Sequence, residues 1–310
     1  LDPYADQFDE VYGTTWGQSH NVMVSGGNDK VKVMTSLGYA NDRSLIDVAY
    51  DGQKKYNFRT NLDYKVSDMI KTEFNVSYDK RNTSSPQQGV GNGLQDMYLF
   101  PIYNEYGQFY DTFGNNNLVA KMVEGGRNNN TEEIMRLGGK LTLDFNKYVK
   151  GLSFQTSANF RIRHHKKIER QTHVTLYDWA GETTSIDGYP DYSQGSGSIH
   201  SQSSNDDCWV KNTLEDTFYQ TYNALLNYNR TFRDHNISLM AGLTGEKTRY
   251  EKYYQYRKGM ANDELDDINL GDVTTAEATG GRNEVGMISW IGRLNYDYKG
   301  IYLLEGLFRR

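Results

Sequence analysis

His164, His165, Glu169 and His173 put three imidazoles and a carboxylate within ten residues, the donor set of a zinc site. Arg163, Lys166 and Lys167 stand among them, and their charges repel a metal ion, so a solvated basic rim is the reading the local charge favours. The run Asp263-Glu264-Leu265-Asp266-Asp267 offers hard oxygen ligands of the kind calcium takes, but it lacks the EF-hand spacing and reads as an acidic loop. Cys208, beside Trp209, has no recognisable catalytic context. Asp51-Gly52 and Asp187-Gly188 are turn formers rather than phosphate cradles. No nucleophile, base and acid come together in the sequence. The expectation is a protein that is not an enzyme, with no catalytic residue, no metal and no cofactor.

What remains is the chemistry of binding. Tyr98, Phe100, Tyr103, Tyr106, Phe109, Tyr110, Tyr177 and Trp179 fall in long polar segments. Flat rings attract the weakly positive C–H faces of sugars much as they attract cations, which makes these residues the candidate ligand contacts. The same rings also suit packing of loops against one another or against a protein lid, and both readings stay open. A second set, Arg59, Asn61, Asp63 and Glu73, alternates with apolar neighbours and is expected to face a lumen or whatever fills it.

The elements that must position these groups are strands. From Tyr56 to Val66 the residues Tyr56, Phe58, Thr60, Leu62, Tyr64 and Val66 share one face, and Asn57, Arg59, Asn61, Asp63 and Lys65 share the other. The stretch reaches the roughly ten residues a tilted strand needs to cross a bilayer, where soluble strands average about five or six. The pattern recurs at Val31–Tyr39, Ile70–Tyr78, Met135–Phe145, Leu152–Ile162, Phe218–Tyr228, Ile237–Leu243 and Ile288–Tyr298. Val22 and Val24 precede it across a Gly26–Asp29 turn, and a last strand begins at Ile301. About ten strands in an up-and-down meander result.

Connections alternate between tight turns, near Gly27, Asp68, Lys147, Arg233 and Lys299, and long segments at 42–54, 80–132, 164–216 and 247–283. The long ones, rich in Asn, Gly, Ser, Asp and Tyr, read as hydrophilic loops rather than helices. Short turns at one end and long loops at the other form the pattern of an outer-membrane barrel. Tyr64, Tyr228, Tyr296 and Tyr298 beside the turns, with Tyr39, Tyr56, Tyr78 and Phe218 beside the loops, fit two interfacial girdles. The rival is a soluble sandwich, whose strands are shorter and whose loops lack this alternation.

Composition agrees. Of 310 residues only 37% are hydrophobic, yet 13% are aromatic, with 25 Tyr, whose apolar ring and polar tip suit half-wet strands. A net charge of −6 without a basic stripe argues against nucleic acid as a partner. One cysteine rules out an internal disulfide framework. No run has the length of a transmembrane helix, and none at the N-terminus resembles a signal peptide. The opening Leu1-Asp2-Pro3 and the closing Phe308-Arg309-Arg310, inside an apparent strand, give the expectation of a piece cut from a longer chain.

Gln18-Ser19-His20-Asn21-Val22-Met23-Val24-Ser25-Gly26-Gly27-Asn28 resembles the HN-x-S-x-SGG opening of the barrel in SusC/RagA-type TonB-dependent transporters, departing from it at Met23, where the family usually has Ser. Ser36-Leu37-Gly38-Tyr39, Tyr56–Asp63 and Tyr302–Arg310 resemble later strands of the same family. The resemblance implies an all-β transmembrane barrel of about 22 strands in the bacterial outer membrane. Residues 1–310 would be roughly its first half, without the plug domain or the remaining strands. It also implies a SusD-like surface lipoprotein as partner, energy through TonB, and an oligosaccharide or peptide as substrate. A siderophore receptor or a passive porin on the same barrel, and a secreted β-rich adhesin, are the alternatives.

Overall fold

The computed structural model describes residues 7–88, 101–104, 107–111, 117–177, 183–184, 190–191, 199–201, 208–261 and 264–310. Six strands come first: β1 (Gln18–Gly27), β2 (Val31–Arg43), β3 (Gly52–Lys65), β4 (Ile70–Pro86), β5 (Arg127–Asp144) and β6 (Leu152–Gln171). Short pieces follow as β7 (Thr175–Tyr177), β8 (Thr183–Thr184), β9 (Pro190–Asp191) and β10 (Ile199–Ser201). Then come β11 (Trp209–Phe232), β12 (His235–Lys258), β13 (Glu277–Tyr298) and β14 (Tyr302–Arg309). The long strands make one ten-stranded sheet in the order β1-β2-β3-β4-β5-β6-β11-β12-β13-β14, every neighbour antiparallel. Two short helices, α1 (Gln7–Val11) and α2 (Leu118–Glu124), lie at its long-loop end.

Register turns the sequence alternation into two continuous surfaces. Val22, Leu37, Phe58, Tyr78, Met135, Ile162 and Phe218 are paired in one cross-strand row. Ile70, Leu143, Phe154, Leu226 and Ala241 form another on the same face, nearer the turns. On the opposite face Ser25, Met34, Asn61, Asn75, Gly138, Asn159, Thr221 and Glu246 align. The apolar face is bare: Phe74 is 51% exposed and Trp290 62%, an arrangement water penalises and lipid does not. A sheet whose apolar face meets lipid curls around its polar face, and on this concave side open hollows of about 800 Å³, lined by Ser25, Met34, Asn61 and Asn75, and about 630 Å³, lined by Asn229, Ser238, Asn295 and Glu305.

Local chemistry sets the tight turns. Asn28 Oδ1 accepts from the amides of Lys30 and Val31 at 2.8 and 2.9 Å, and Ser67 Oγ accepts from Ile70 N at 3.1 Å. Gly151 turns the β5–β6 connection at φ +85°, where a Cβ would lie 1.8 Å from the Asn229 carbonyl oxygen. The β13–β14 register pairs Tyr298 with Tyr302 and Tyr296 with Leu304, so Tyr302, Leu304 and Phe308 join the apolar face.

The strands run well past the residues where alternation ends, and this corrects the loop boundaries expected from sequence. β4 continues to Pro86, β6 to Gln171 and β12 to Lys258, while β11 starts at Trp209. The loops shrink accordingly to 44–51, 87–126, 172–208 and 259–276. Beyond the lipid both faces are wet, so apolar alternation stops, yet the backbone ladder goes on. Cross-strand pairs support it on the outward side: the ion pairs Lys80–Glu133 at 2.7 Å and Arg282–Glu251 at 3.6 Å, and a hydrogen bond between His164 Nδ1 and Asp216 at 2.7 Å.

Candidate substrate-facing wall and loop lobe

Within the membrane-height part of the concave face most side chains are amides, hydroxyls and charged groups, with a few apolar ones such as Met34 among them. A Cβ on Gly38 would meet the amides of Asn57 and Asn21 at 2.4–2.5 Å, and one on Gly138 those of Asn75 and Asn159 at 2.4–2.8 Å. Glycine is thus what lets asparagines fill adjacent strands of this wall. Asp63, Lys71, Glu73 and Lys140 form a ladder, with Lys71 Nζ 3.6 Å from Asp63 and 2.5 Å from Glu73, and Lys140 3.2 Å from Glu73. Arg59, Asn61, Asp63 and Glu73, the residues expected to face a lumen or its filling, all stand on this concave polar surface.

Above it a second network crosses five strands. Glu132 takes hydrogen bonds from Arg81 at 2.5 Å and Arg163 at 2.6 Å. Glu215 is 3.1 Å from Lys252, 3.3 Å from His165 and 3.7 Å from Arg163. Burial pushes the Glu132 carboxyl up, but the hydrogen bond and charge of Arg163, with Arg81, prevail and hold it below its ordinary value. Burial likewise opposes Lys252 and His165 at Glu215, and there too the carboxyl ends low. Both groups bind fewer protons folded than unfolded. Their stabilisation is therefore complete above the ordinary carboxyl value of 4.5 and is lost as pH falls through the lowered folded values. Protease nicking of the β5–β12 extensions in reconstituted protein is expected to accelerate as pH falls below 4.5. A flat profile there would contradict the network's role.

His164 and His165 are successive strand residues, and successive residues point to opposite faces. His164 meets Asp216 outside and His165 meets Glu215 inside, so they cannot close on one ion, and among the described residues no cluster of metal-ligating side chains occurs. In the acidic run, Asp266 pairs with Arg170 at 3.2 Å and Asp267 caps the turn at Asn269 N. Asp263 lies outside the described residues. Cys208 is fully buried against Val210 and Met260.

The loop aromatics gather with apolar residues of the N-terminal segment and of the long connections. Val11, Ala49, Ile102, Leu118, Val119 and Met122 form a buried cluster, with Tyr12, Ile46, Val48 and Phe109 packed against it. It joins α1, the 44–51 loop and α2 into one lobe. The helix α2 corrects the expectation of helix-free loops: seven residues are too few to hold a helix alone, and here burial of Leu118, Val119, Ala120 and Met122 supplies the support. Val174 and Leu176 cover Ala120 from the 172–177 segment. Asn117 knots these pieces together, its Oδ1 accepting from Ala120 N at 3.0 Å and its Nδ2 donating to the Ile102 and Tyr110 carbonyls at 2.8 and 2.9 Å.

Tyr103 stacks on Phe109 with ring centroids 5.4 Å apart and its hydroxyl reaches Glu10 at 3.5 Å, while Tyr110 and Tyr177 share a backbone bridge. The backbones of these four residues are thus joined in the lobe, Tyr177 N donating to the Phe109 carbonyl at 2.8 Å. Tyr98, Phe100, Tyr106 and Trp179 lie outside the described residues. Sequence reasoning missed Asn117, whose Asn-Leu-Val-Ala context is a helix-start signal, and it missed three tyrosines on the inner side of β12: Tyr250, Tyr254 and Tyr256. Their parity, carried on from Asn236 and Ser238, was the available sign.

No family model matches the chain. Among curated proteins, TonB-dependent receptor P26 of Formosa agariphila is 28% identical over 97% of this chain, and TonB-dependent receptor P3 of the same organism 24% identical over 98%. This chain is a homologue of TonB-dependent receptors. The chain spans 28% and 29% of the length of those two relatives. Its structure matches that of the RagAB peptide transporter with a TM-score of 0.75 at 14% identity, over 99% of this chain and 33% of that one. At such identity the likeness is one of fold, and the fold is a transmembrane antiparallel barrel. The ten-stranded sheet is accordingly part of an outer-membrane β-barrel, with its apolar face toward lipid.

Proposed function

We propose that this chain is a stretch of the wall of a TonB-dependent nutrient importer, about half of a barrel of some 22 strands, working with a plug and further strands outside residues 1–310. The observation that carries it is the open sheet. β1 and β14 are both edges, and β14 carries exposed Tyr302, Leu304 and Phe308 on the apolar face, whereas lipid tolerates no unpaired strand edge. Additional strands satisfy those edges by closing the barrel. A closed barrel of that size holds a plug against its concave polar wall, and import then draws on TonB rather than on any covalent step.

The cargo in this reading is an oligosaccharide, delivered through a SusD-like surface lipoprotein that caps the loop end. Support comes from the half-exposed aromatic rings beside amides and carboxylates at that end, a combination suited to sugar faces and hydroxyls. A peptide cargo is the second reading, because the solved relative RagAB is a peptide importer. Calorimetric titration of the full-length transporter with its lipoprotein separates the two. Oligosaccharides are expected to give saturable heats and mixed tryptic peptides none. The reverse result assigns the protein to peptides.

A further inference from the structure

Above the membrane, the inner side of β12 carries Tyr250, Tyr254 and Tyr256 at even positions. Tyr250 and Tyr254 are both half-buried, and four residues of strand set them about 13 Å apart, the reach of a short oligosaccharide. Opposite them on β13 stand Asn283 and Thr279, with Gly281 between, paired to Lys252. These residues line a hollow of about 460 Å³.

Two glycines lie here, and only one has a reason within the fold. A Cβ on Gly280 would come within 2.7 Å of the Tyr253 ring on the outer side, so Tyr253 requires that glycine. A Cβ on Gly281 would meet nothing within 4 Å. Glycine inside a strand weakens it, and a place where another molecule approaches the backbone is one of its recognised uses. Lys252 leaves the space free by turning to Glu215 on β11, with Nζ to Oε1 at 3.1 Å. The Tyr254 hydroxyl donates to Glu277 Oε2 at 3.4 Å, and Lys211 Nζ sits 5.5 Å from the Tyr254 ring centre. The charges around the hollow are therefore engaged within the wall, which presents rings, an amide and a hydroxyl.

We propose that Tyr250, Tyr254 and the bare backbone at Gly281 form a stacking track for a neutral oligosaccharide on the lumen side of the barrel mouth. The two rings take the C–H faces of sugars near opposite ends of a short oligosaccharide, and Asn283 and Thr279 meet hydroxyls. The track rests on the import reading above and locates a contact surface within it, on rigid strand rather than in the loop lobe.

The test uses the full-length transporter with its lipoprotein, titrated with neutral hexasaccharides of glucose, mannose, galactose and xylose in α and β linkages. Tyr250→Ala and Tyr254→Ala are each expected to weaken binding about tenfold. Gly281→Val is expected to do so as well while leaving the strand intact, since valine favours strands. Gln255→Ala, on the outer side of the same strand, should leave affinity unchanged. Hexasaccharide binding that is the same in all variants overturns the track and leaves import of a glycan standing. Wild-type protein that binds peptides and no hexasaccharide overturns both.

Discussion

Leu62→Arg is expected to keep this protein out of the outer membrane, and Asn61→Arg to leave it there. Leu62 lies on the lipid side between Val33 and Phe74, and an arginine at mid-membrane on that side costs on the order of 2–4 kcal/mol. Asn61 is its chain neighbour yet faces the concave polar surface between Met34 and Asn75, where a long cation has water and carboxylates within reach. The measurement is the fraction of full-length protein recovered as folded, heat-modifiable barrel from outer-membrane preparations. Equal recovery of the two variants would reverse the assignment of faces.

Asn117→Ala should unravel the loop lobe without touching the barrel. The side chain is 4% exposed and makes three hydrogen bonds to three separate backbone positions. Loss of the helix cap costs about 1 kcal/mol, and each buried carbonyl left without a donor about 1–3 kcal/mol more, so the lobe loses about 3 kcal/mol or more. Amide exchange in α2 is expected to speed up by a hundredfold or more, with the β11–β12 ladder as slow as before. Asn117→Asp retains the capping oxygen but not the donor, and should fall between. Unchanged exchange in α2 would show that Leu118, Val119 and Met122 hold the lobe by packing alone.

Legibility of the fold from sequence followed the solvent. From Tyr56 to Val66 one side meets lipid and the other a polar interior, so each residue type reports its face. The same strand logic fails from Thr244 to Lys258, where water lies on both sides and a tyrosine serves either. The ladder there is held by backbone bonds and by pairs such as Lys252–Glu215, which join residues far apart in sequence. The histidine pair shows the same principle from the other direction. Side by side in the chain, His164 and His165 look like a ligand set, and only the knowledge that they sit in a strand sends them to opposite faces. Tyr103 and Phe109 were identifiable as a binding or packing group. Their company in the lobe, with Val11 and Met122, depends on tertiary contacts that no local pattern announces.

The pairing of β11 with β12 runs from Trp209–Lys258 to Phe232–His235 without a bulge. Every residue added to or removed from that hairpin below its tip would exchange the inner and outer roles of all residues beyond the change. An odd insertion near Leu243 would turn Tyr250 and Tyr254 outward and bring Tyr253 and Gln255 inside, or else drive apolar residues into the lumen. Unless a bulge absorbs the odd residue, such strands lengthen or shorten by pairs of residues, one on each strand face. The 259–276 loop carries no such parity. Among descendants of this protein, insertions and deletions of any length should therefore collect in the loops, while those in the barrel wall come in even numbers.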